Sequence, residues 1–499
     1  MLNNIFSLLA NGFSMTIQLD AIVWIIVGTF LGIIVGAIPG FTSTMAVGIL
    51  LPITFFLNPF NALVLLVSIY AASIYGGSIT AIILNTPGTP ESSATTFDGY
   101  IMTQQGKASE ALGIAIGSSF IGGVLSYIVM VFFMLPLATF ALKFGPSEMF
   151  LLAIFGIVIL VSIGRGSMKK TTMAGAFGLL IGTIGVTPTG EWRATFGSIF
   201  LAEGVQMIPA IIGMFALSEL LDMVNRKFIV DNDKPEARNI KKMVKGLFSA
   251  LNYPVITIRS AIIGLIIGAI PAAGGTIAAF TSYAETKRAS KKPELFGTGY
   301  IPGIIAPETA NNASTGGALI TTLALGVPGS STCAVLMGAL MMQGLSPGPQ
   351  LVTTQINLVY GLIVALILSQ LLMVLMSMMM AYFSVGLLRV NTYVLVPVVC
   401  VLCVVGTFAI RNIIFDVLMM VLFGVVGWLM KKYGYSPVAV MLGVILAPIA
   451  DDELIRMFMR FGKGWYRAFF TRPISLILVI VMVILLVSQY VKEKKLKME

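Results

Sequence analysis

The stretch GLIIGAIPAAGG at residues 264–275 decides the fold of this chain, because it is an apolar helical segment interrupted by proline and glycine. A second copy of the pattern, LGIIVGAIPG, stands at residues 31–40. Proline lacks a backbone donor and glycine tolerates left-handed backbone angles, so a helix stops where these residues follow one another. The two stretches therefore predict helices that break inside apolar segments.

The composition around these breaks is that of a membrane protein. Of the 499 residues, 57% are hydrophobic and only 10% are charged, and the mean hydropathy is +0.97. A typical globular protein has about 25% charged residues. A backbone inside a bilayer must satisfy its polar groups within helices. The sequence therefore predicts an all-α polytopic membrane protein with about 10–12 transmembrane helices, some re-entrant or broken, at roughly 20 residues per crossing.

Several classes of function are excluded by residue counts. The chain has no histidine, so histidine-based catalysis and histidine-ligated metals are ruled out. Its three cysteines cannot form a disulfide framework, and Cys400 and Cys403 lie in an apolar run, where helix packing is favoured over redox or metal chemistry. Walker and HExxH motifs are absent from the sequence. We expect no metal site, no organic cofactor, no enzymatic activity and no nucleic-acid partner.

Charge divides the chain into two halves joined by a basic linker. Residues 224–245 carry seven basic and three acidic residues, and TKRASKKPE at 286–294 is basic as well. Basic loops lie on the cytoplasmic side. The single apolar segment between these two stretches, residues 261–280, is therefore predicted to be a re-entrant hairpin that turns near Pro271–Gly275, with arms of about ten residues each. A kinked single span is the alternative. The predicted organisation is a first transmembrane repeat at 1–223, a cytoplasmic linker at 224–258 and a second repeat at 259–499.

Similar segments recur in the same order in both halves. Gly36 of the first GAIP and Gly268 of the second are 232 positions apart, and the Pro-Gly pairs that start at Pro87 and Pro328 are 241 apart. Weaker pairs follow, DGYIMTQQG at 98–106 with MGALMMQG at 337–344, and FGLLIGTIG at 177–185 with VLFGVVG at 421–427. Chance similarity is the alternative to duplication. Duplicated halves with interrupted helices are typical of secondary transporters, in which the breaks mark the binding site; we favour an inverted duplication.

Four polar patches at the breaks supply candidate substrate- or ion-binding residues. A helix that starts at serine or threonine presents free N–H groups and the positive end of its dipole, which suits an anion. The carbonyl groups freed at a break suit Na⁺. Tight turns at the membrane surface are the alternative. The candidates are Pro39, Gly40, Thr42, Ser43, Asn85, Thr86, Pro87, Gly88, Thr89, Gly274, Gly275, Pro328, Gly329, Ser330 and Ser331. We further expect Gly88 and Gly329 to need a left-handed backbone or close approach to a ligand.

A fifth patch adds Glu308, Asn311 and Asn312 to the candidates. An ionisable side chain at membrane depth indicates a functional site, and coupling to a cation is the role we expect for Glu308. The alternative is a residue near a helix start at the interface, where a carboxylate is favoured by the helix dipole.

Three stretches resemble the large membrane subunit of tripartite tricarboxylate transporters, the TctA type. They are GAIPGFTSTMAVGILLPITF at 36–55, YGGSITAIILNTPGTPESSATTFDGY at 75–100 and PETANNASTGGALITTLALGVPGSSTCAVLMGAL at 307–340. The middle stretch is the most specific of the three. The spacing of the family continues outside them, so the resemblance covers nearly the whole chain.

The resemblance implies a multi-pass permease of the bacterial inner (plasma) membrane. Its partners would be a small membrane subunit of about four spans and an extracytoplasmic solute-binding protein. Its substrate would be a di- or tricarboxylate such as citrate, imported by a Na⁺ or H⁺ gradient. Taken alone, the residues also leave open a membrane-embedded enzyme or a passive channel.

Overall fold

The computed structural model describes residues 2–38, 41–85, 87–163, 168–187, 189–223, 239–271, 274–383 and 392–496. These residues are helical nearly throughout, which confirms the predicted all-α fold. The sheet among them is one small antiparallel hairpin, in which β1 (Gly185–Val186) pairs with β2 (Trp192–Arg193).

The first half of the chain contributes ten α-helices. They are α1 (Leu2–Thr16), α2 (Leu19–Gly36), α3 (Ser43–Leu50), α4 (Pro59–Leu84), α5 (Thr96–Gln104), α6 (Ala108–Ala141), α7 (Pro146–Ile163), α8 (Met168–Gly182), α9 (Met207–Ile211) and α10 (Ser218–Met223). Shorter 3-10 segments cover Leu51–Phe56, directly after α3, and Pro90–Thr95, directly before α5, and a π-helical segment covers Ile212–Leu217.

The second half of the chain contributes twelve. They are α11 (Ile240–Leu247), α12 (Pro254–Ala269), α13 (Gly274–Ala289), α14 (Pro302–Leu325), α15 (Ser331–Met342), α16 (Pro349–Thr354), α17 (Ile356–Phe383), α18 (Thr392–Arg411), α19 (Ile414–Lys432), α20 (Pro437–Phe461), α21 (Ala468–Thr471) and α22 (Pro473–Leu496).

Five of the described helices are long and apolar enough to cross a membrane. They are α2, α4, α6, the Ile356–Met380 part of α17, and α19. A bent pair, Gly464–Thr471 with Pro473–Ser488, makes a sixth if it is one span. Shorter apolar helices of 10–17 residues accompany them, α12 and α15 included. The chain is thus a multi-pass membrane protein, while the predicted total of about 10–12 crossings stays a prediction.

Helices α4 and α14 form the centre of the molecule, and both are buried along most of their length. Glycines let their neighbours approach closely. A Cβ atom at Gly36 of α2 would lie 2.1 Å from the carbonyl oxygen of Ser73 in α4. A Cβ atom at Gly268 of α12 would lie 2.1 Å from the carbonyl oxygen of Ser314 in α14. Small residues of this kind are what allows close helix packing inside a membrane.

Helices α12 and α13 fold back on each other, which confirms the predicted hairpin. Arg259, near the start of α12, donates from Nη2 to Thr286 Oγ1, near the end of α13, over 3.3 Å. The break lies between Ala269 and Gly274, as predicted, although residues 272 and 273 lie outside the described chain. Each arm has 16 residues, or about 24 Å at 1.5 Å per residue. The arms are thus longer than the ten residues implied by residues 261–280, and the kinked single span is wrong.

The open end of this hairpin provides a test of its sidedness. Asn252 precedes α12, Lys291 follows α13, and both are exposed. In a variant that lacks the native cysteines, single cysteines at these two positions should react with a membrane-impermeant thiol reagent from the same side of the membrane. Labelling from opposite sides would contradict a re-entrant hairpin.

The predicted division into two repeats joined by a linker at 224–258 stays a prediction. Residues 224–238 lie outside the described chain, and the rest of the predicted linker contains α11 and the first turn of α12. Helix α11 lies against α6, where a Cβ atom at Gly113 would be 2.0 Å from the carbonyl oxygen of Met243. The two predicted halves pack on each other, because α6 packs on α14 and α8 packs on α20.

Equivalent contacts occur in the two halves. A Cβ atom at Gly76 would lie 2.5 Å from the carbonyl oxygen of Ile33, and one at Gly317 would lie 2.2 Å from that of Leu265. The pairs are 241 and 232 positions apart, the spacings of the sequence matches. In addition, α6 and α17 are antiparallel. Gly123 of α6 faces Gln370 of α17, whereas the carbonyl group of Val131, later in α6, accepts from the hydroxyl of Tyr360, earlier in α17.

Candidate functional site

Glu308 occupies the centre of the polar interior. It lies in the second turn of α14 and is fully buried. Its carboxylate accepts hydrogen bonds from Ser78 Oγ of α4 at 2.6 Å and from Ser119 Oγ of α6 at 2.9 Å. A third bond comes from Thr95 Oγ1, at the end of the Pro90–Thr95 segment. Three different elements therefore hold this carboxylate inside the protein.

Glu308 has no basic partner among the described residues, unlike two other buried acids. Glu148 pairs with Arg472 at 2.6 Å, and Asp416 pairs with Arg411 at 2.7 Å. The hydrogen-bond donors around Glu308 are uncharged. A buried carboxylate without a positive partner carries a large desolvation cost unless a cation or a proton accompanies it.

Two asparagines connect Glu308 to a second acidic residue. Asn312 Nδ2 donates to Asn311 Oδ1 at 2.7 Å and to the carbonyl oxygen of Glu308 at 3.1 Å. Asn311 Nδ2 donates to the carbonyl oxygen of Glu91 at 3.2 Å. Asn312 Oδ1 and Glu91 Oε2 are buried and lack hydrogen-bond partners within the described part of the chain. The network thus ends in two free acceptor oxygens, the type of ligand that hard cations prefer.

The helices α3 and α15 begin side by side, and we call their first turns the hydroxyl crossing (residues 43–46 and 331–334). Thr44 Oγ1 and Thr332 Oγ1 lie 3.1 Å apart. Thr42 caps α3 by accepting from the N–H of Met45 at 3.2 Å. Ser330 caps α15 in the same way, and its hydroxyl also lies 3.1 Å from that of Tyr70.

A second pair of helix starts forms what we call the acidic crossing (residues 90–93 and 274–277). A Cβ atom at Gly275 would lie 2.9 Å from Cγ of Glu91 and 3.0 Å from Oγ of Ser314. Gly274 has a φ of 68°, in the left-handed region that favours glycine. The acidic crossing therefore brings the α12–α13 hairpin against the Pro90–Thr95 segment and the Asn311–Asn312 network.

The Pro-Gly turns act differently from what we expected. The left-handed residues are Asn85, with a φ of 56°, and Gly326, with a φ of 72°, which end α4 and α14. Gly88 and Gly329 are not left-handed; a Cβ atom at Gly88 would lie 2.0 Å from the carbonyl oxygen of Gly36, and one at Gly329 would lie 2.6 Å from that of Gly268. These two glycines thus allow close helix packing, and no ligand contact is needed to explain them.

The other turn candidates are distributed around these features. Pro87 and Pro328 precede the packing glycines, and Thr89 is buried directly before the Pro90–Thr95 segment. Ser331 is the first residue of α15. Asn85 is exposed. Pro39, Gly40 and Thr86 lie outside the described residues.

Sequence reasoning missed several residues of the site. Ser78 and Thr95 lie in the most specific of the motif stretches, and the motif alone did not connect them to Glu308. Ser119 carried no signal, because serine is common in apolar helices that pack closely. Tyr70 also carried no signal in the sequence. Glu91 did carry one, because it closely follows the predicted break at Pro87 and Gly88.

Asp98 is a further buried acid, and it holds the end of the hairpin. Its Oδ1 accepts from the N–H groups of Gly297, Gly299 and Tyr300 at 2.8–3.0 Å, and its Oδ2 accepts from the hydroxyl of Tyr283 at 2.9 Å. The carboxylate therefore joins α5 to α13 and to the loop before α14, which makes it a structural anchor.

The packing role of Gly88 can be tested with an alanine pair. Gly88→Ala should lower the stability of the protein by about 1–3 kcal/mol, because the added methyl group collides with backbone. Gly48→Ala is the control, since a Cβ atom at Gly48 would meet nothing within 4 Å. Unfolding of the two variants in detergent measures the difference. Equal stability would mean that the turn can move away from α2.

The fold and site together define a class of protein, a helical membrane transporter with interrupted helices that meet at a buried polar centre. Residues 22–442 match the Tripartite tricarboxylate transporter TctA family. The chain belongs to this family. It is therefore a permease component of a tripartite transporter in the inner membrane, and membership points to transport rather than to catalysis.

Two similar proteins come from Agrobacterium vitis. One, described as "Uncharacterized 52.8 kDa protein in TAR-I ttuC' 3'region", is 35% identical over 476 residues, covering 95% of this chain and 93% of that protein. The other, described as "Uncharacterized protein in TAR-II ttuC' 3'region", is 33% identical over 212 residues, covering 42% of this chain and 87% of that protein. No solved structure shows significant similarity to the chain.

Proposed function

We propose that the chain is the permease subunit of a binding-protein-dependent secondary transporter that imports di- or tricarboxylates, such as citrate, with a Na⁺ or H⁺ gradient. The observation that carries this proposal is Glu308, a fully buried carboxylate held by hydroxyl groups on three elements without a basic partner among the described residues. A site of this kind requires a positive charge, and a coupling cation supplies it.

Glu308 binds or relays the coupling cation in this proposal, and Asn311 and Asn312 extend the site toward Glu91. Their amide groups hold the network together, and the free Oδ1 of Asn312 and Oε2 of Glu91 offer further oxygen ligands. No other cofactor is required. Since carboxyl and amide oxygens serve Na⁺ and since a carboxylate also accepts a proton, the same residues suit either coupling ion.

The proposed mechanism includes an inverted duplication of the two halves. The contacts that recur at spacings of 232 and 241 residues support it, as does the antiparallel arrangement of α6 and α17. In inverted-repeat transporters, rocking or gating of one repeat against the other alternates access to a site between them. The polar centre between α4, α6 and α14 is placed suitably for such a site.

The proposed partners are a small membrane subunit of about four spans and an extracytoplasmic solute-binding protein. The binding protein would capture the carboxylate and deliver it to the permease. A tripartite family implies such further subunits, and the identity of each belongs to this proposal.

Uptake by proteoliposomes tests the function. The complete transporter, with its purified partner subunits, should take up at least one member of a panel of di- and tricarboxylates when a Na⁺ or H⁺ gradient is imposed. Uptake should stop when the binding protein is omitted. A complex that is folded and complete but moves none of the carboxylates under either gradient would contradict the proposed substrate class.

A further inference from the structure

Helices α3 and α15 point in the same direction with their N-termini together. Their first turns meet at Thr44 and Thr332, whose hydroxyl oxygens are 3.1 Å apart. Further along, Gln343 Nε2 donates to the carbonyl oxygen of Thr54 at 2.8 Å, in the Leu51–Phe56 segment that continues α3. The two elements therefore run parallel from the hydroxyl crossing onward.

Parallel helix dipoles place two positive ends next to each other. The first N–H groups of a helix have no acceptor within it, so Ser43 and Thr44 of α3, and Ser331 and Thr332 of α15, add four donors to the hydroxyl crossing. Adjacent positive ends repel each other, and an anion between them offsets the repulsion. The arrangement thus favours a bound anion.

The side chains of the hydroxyl crossing are neutral, and one of them makes no hydrogen bond to the described residues. Neither first turn contains an acidic residue. Ser43 is 1% exposed, and its Oγ has no hydrogen-bond partner among the residues that the structure describes. A buried hydroxyl of this kind is normally satisfied, so it indicates a missing partner.

The acidic crossing has the same construction with one difference. Its two elements also run parallel, since Glu91 packs at Gly275 while Asp98, about two turns further along, accepts from Tyr283 at 2.9 Å. Glu91 is the second residue of its segment, as Thr332 is of α15. Where the acidic crossing has a carboxylate of the protein, the hydroxyl crossing has threonine.

We propose that a carboxylate group of the transported anion binds at the hydroxyl crossing, between Ser43, Thr44 and Thr332, in the position that corresponds to Glu91 at the acidic crossing. The inference rests on the proposed function as a carboxylate permease and adds the place of binding. The hydroxyl crossing then receives the anion, while Glu308 receives the cation.

Charge at position 332 tests the proposal. Thr332→Glu supplies a fixed carboxylate, and Thr332→Gln has the same size without the charge. Citrate and succinate are the probes, and their binding is measured on the complete transporter. For the probe that wild type binds, the apparent Kd should be at least about tenfold higher for Thr332→Glu than for Thr332→Gln. Equal affinities of the two variants would overturn the proposal.

A smaller change covers the case in which Thr332→Glu does not fold. Ser43→Ala removes a hydroxyl that no described residue uses, and we expect it to weaken probe binding about three- to tenfold. Ser68→Ala is the matched control, because Ser68 is another buried serine without a partner in the described chain, on the α4 face that packs on α2. Equal binding by both alanine variants would overturn the proposal.

Failure of this inference is distinguishable from failure of the proposed function. If wild type neither binds nor transports the carboxylates, the proposed function is wrong. If wild type transports them while the changes at Ser43 and Thr332 leave affinity unchanged, the function stands and the binding place is wrong.

Discussion

Glu308→Gln should strongly reduce gradient-driven accumulation of carboxylate and flatten its dependence on Na⁺ or pH. Glutamine keeps the size of the side chain and can still accept from Ser78, Thr95 or Ser119, but it has no charge. Loss of a charge-assisted interaction corresponds to roughly 1.5–3 kcal/mol. The cation concentration for half-maximal uptake should therefore rise about 10- to 150-fold.

The matched control for this variant is Glu148→Gln. Glu148 is also a buried glutamate, 1% exposed, but Arg472 neutralises it. Its replacement should lower stability and leave the cation dependence of the remaining uptake unchanged. Carboxylate binding by the separate binding protein should be the same in both cases. An unchanged half-saturating cation concentration in Glu308→Gln would move the coupling site to the carbonyl and hydroxyl groups of the helix breaks.

Asp98→Ala should cause the largest loss of stability among the single changes considered. It removes the acceptor of three backbone N–H groups and the Tyr283 hydroxyl, and each donor left buried without a partner costs about 1–3 kcal/mol. Because the neighbouring loop can relax toward water, we expect a net loss of about 3–5 kcal/mol. Unfolding in detergent measures it.

Asp20→Ala is the control for Asp98→Ala. Asp20 is exposed and accepts one side-chain bond, from Asn61 Nδ2 at 2.7 Å. Hydrogen exchange should show the cause directly, since the N–H groups of Gly297, Gly299 and Tyr300 should lose protection in Asp98→Ala alone. An Asp98→Ala variant as stable as Asp20→Ala would contradict the role of Asp98 as the anchor of the hairpin.

The sequence predicted those features that depend on local chemistry. Proline and glycine after an apolar run stop a helix wherever the run lies, so the break between Ala269 and Gly274 was accessible from the sequence. The basic flanks of the segment then indicated that the chain folds back. The length of each arm was underestimated, because α12 starts at Pro254, inside what charge alone marked as linker.

Features that depend on contacts between distant elements were not accessible. A glycine after proline indicates either a left-handed turn or a close approach, and only the packing of Gly88 on Gly36 distinguishes the two. The partners of Glu308 come from positions up to 230 residues away, so spacing along the chain does not reveal them. In the same way, Thr44 and Thr332 meet only because α3 and α15 lie side by side.

The steady-state accumulation ratio tests the central claim most directly. Proteoliposomes with the complete transporter are loaded with a defined Na⁺ or H⁺ gradient, and the internal and external concentrations of an imported carboxylate are compared at steady state. We predict a ratio above one that rises with the gradient, falls to one when an ionophore collapses it, and leaves the carboxylate chemically unchanged. A ratio that stays at one under every gradient would indicate a passive channel and would contradict cation-coupled import.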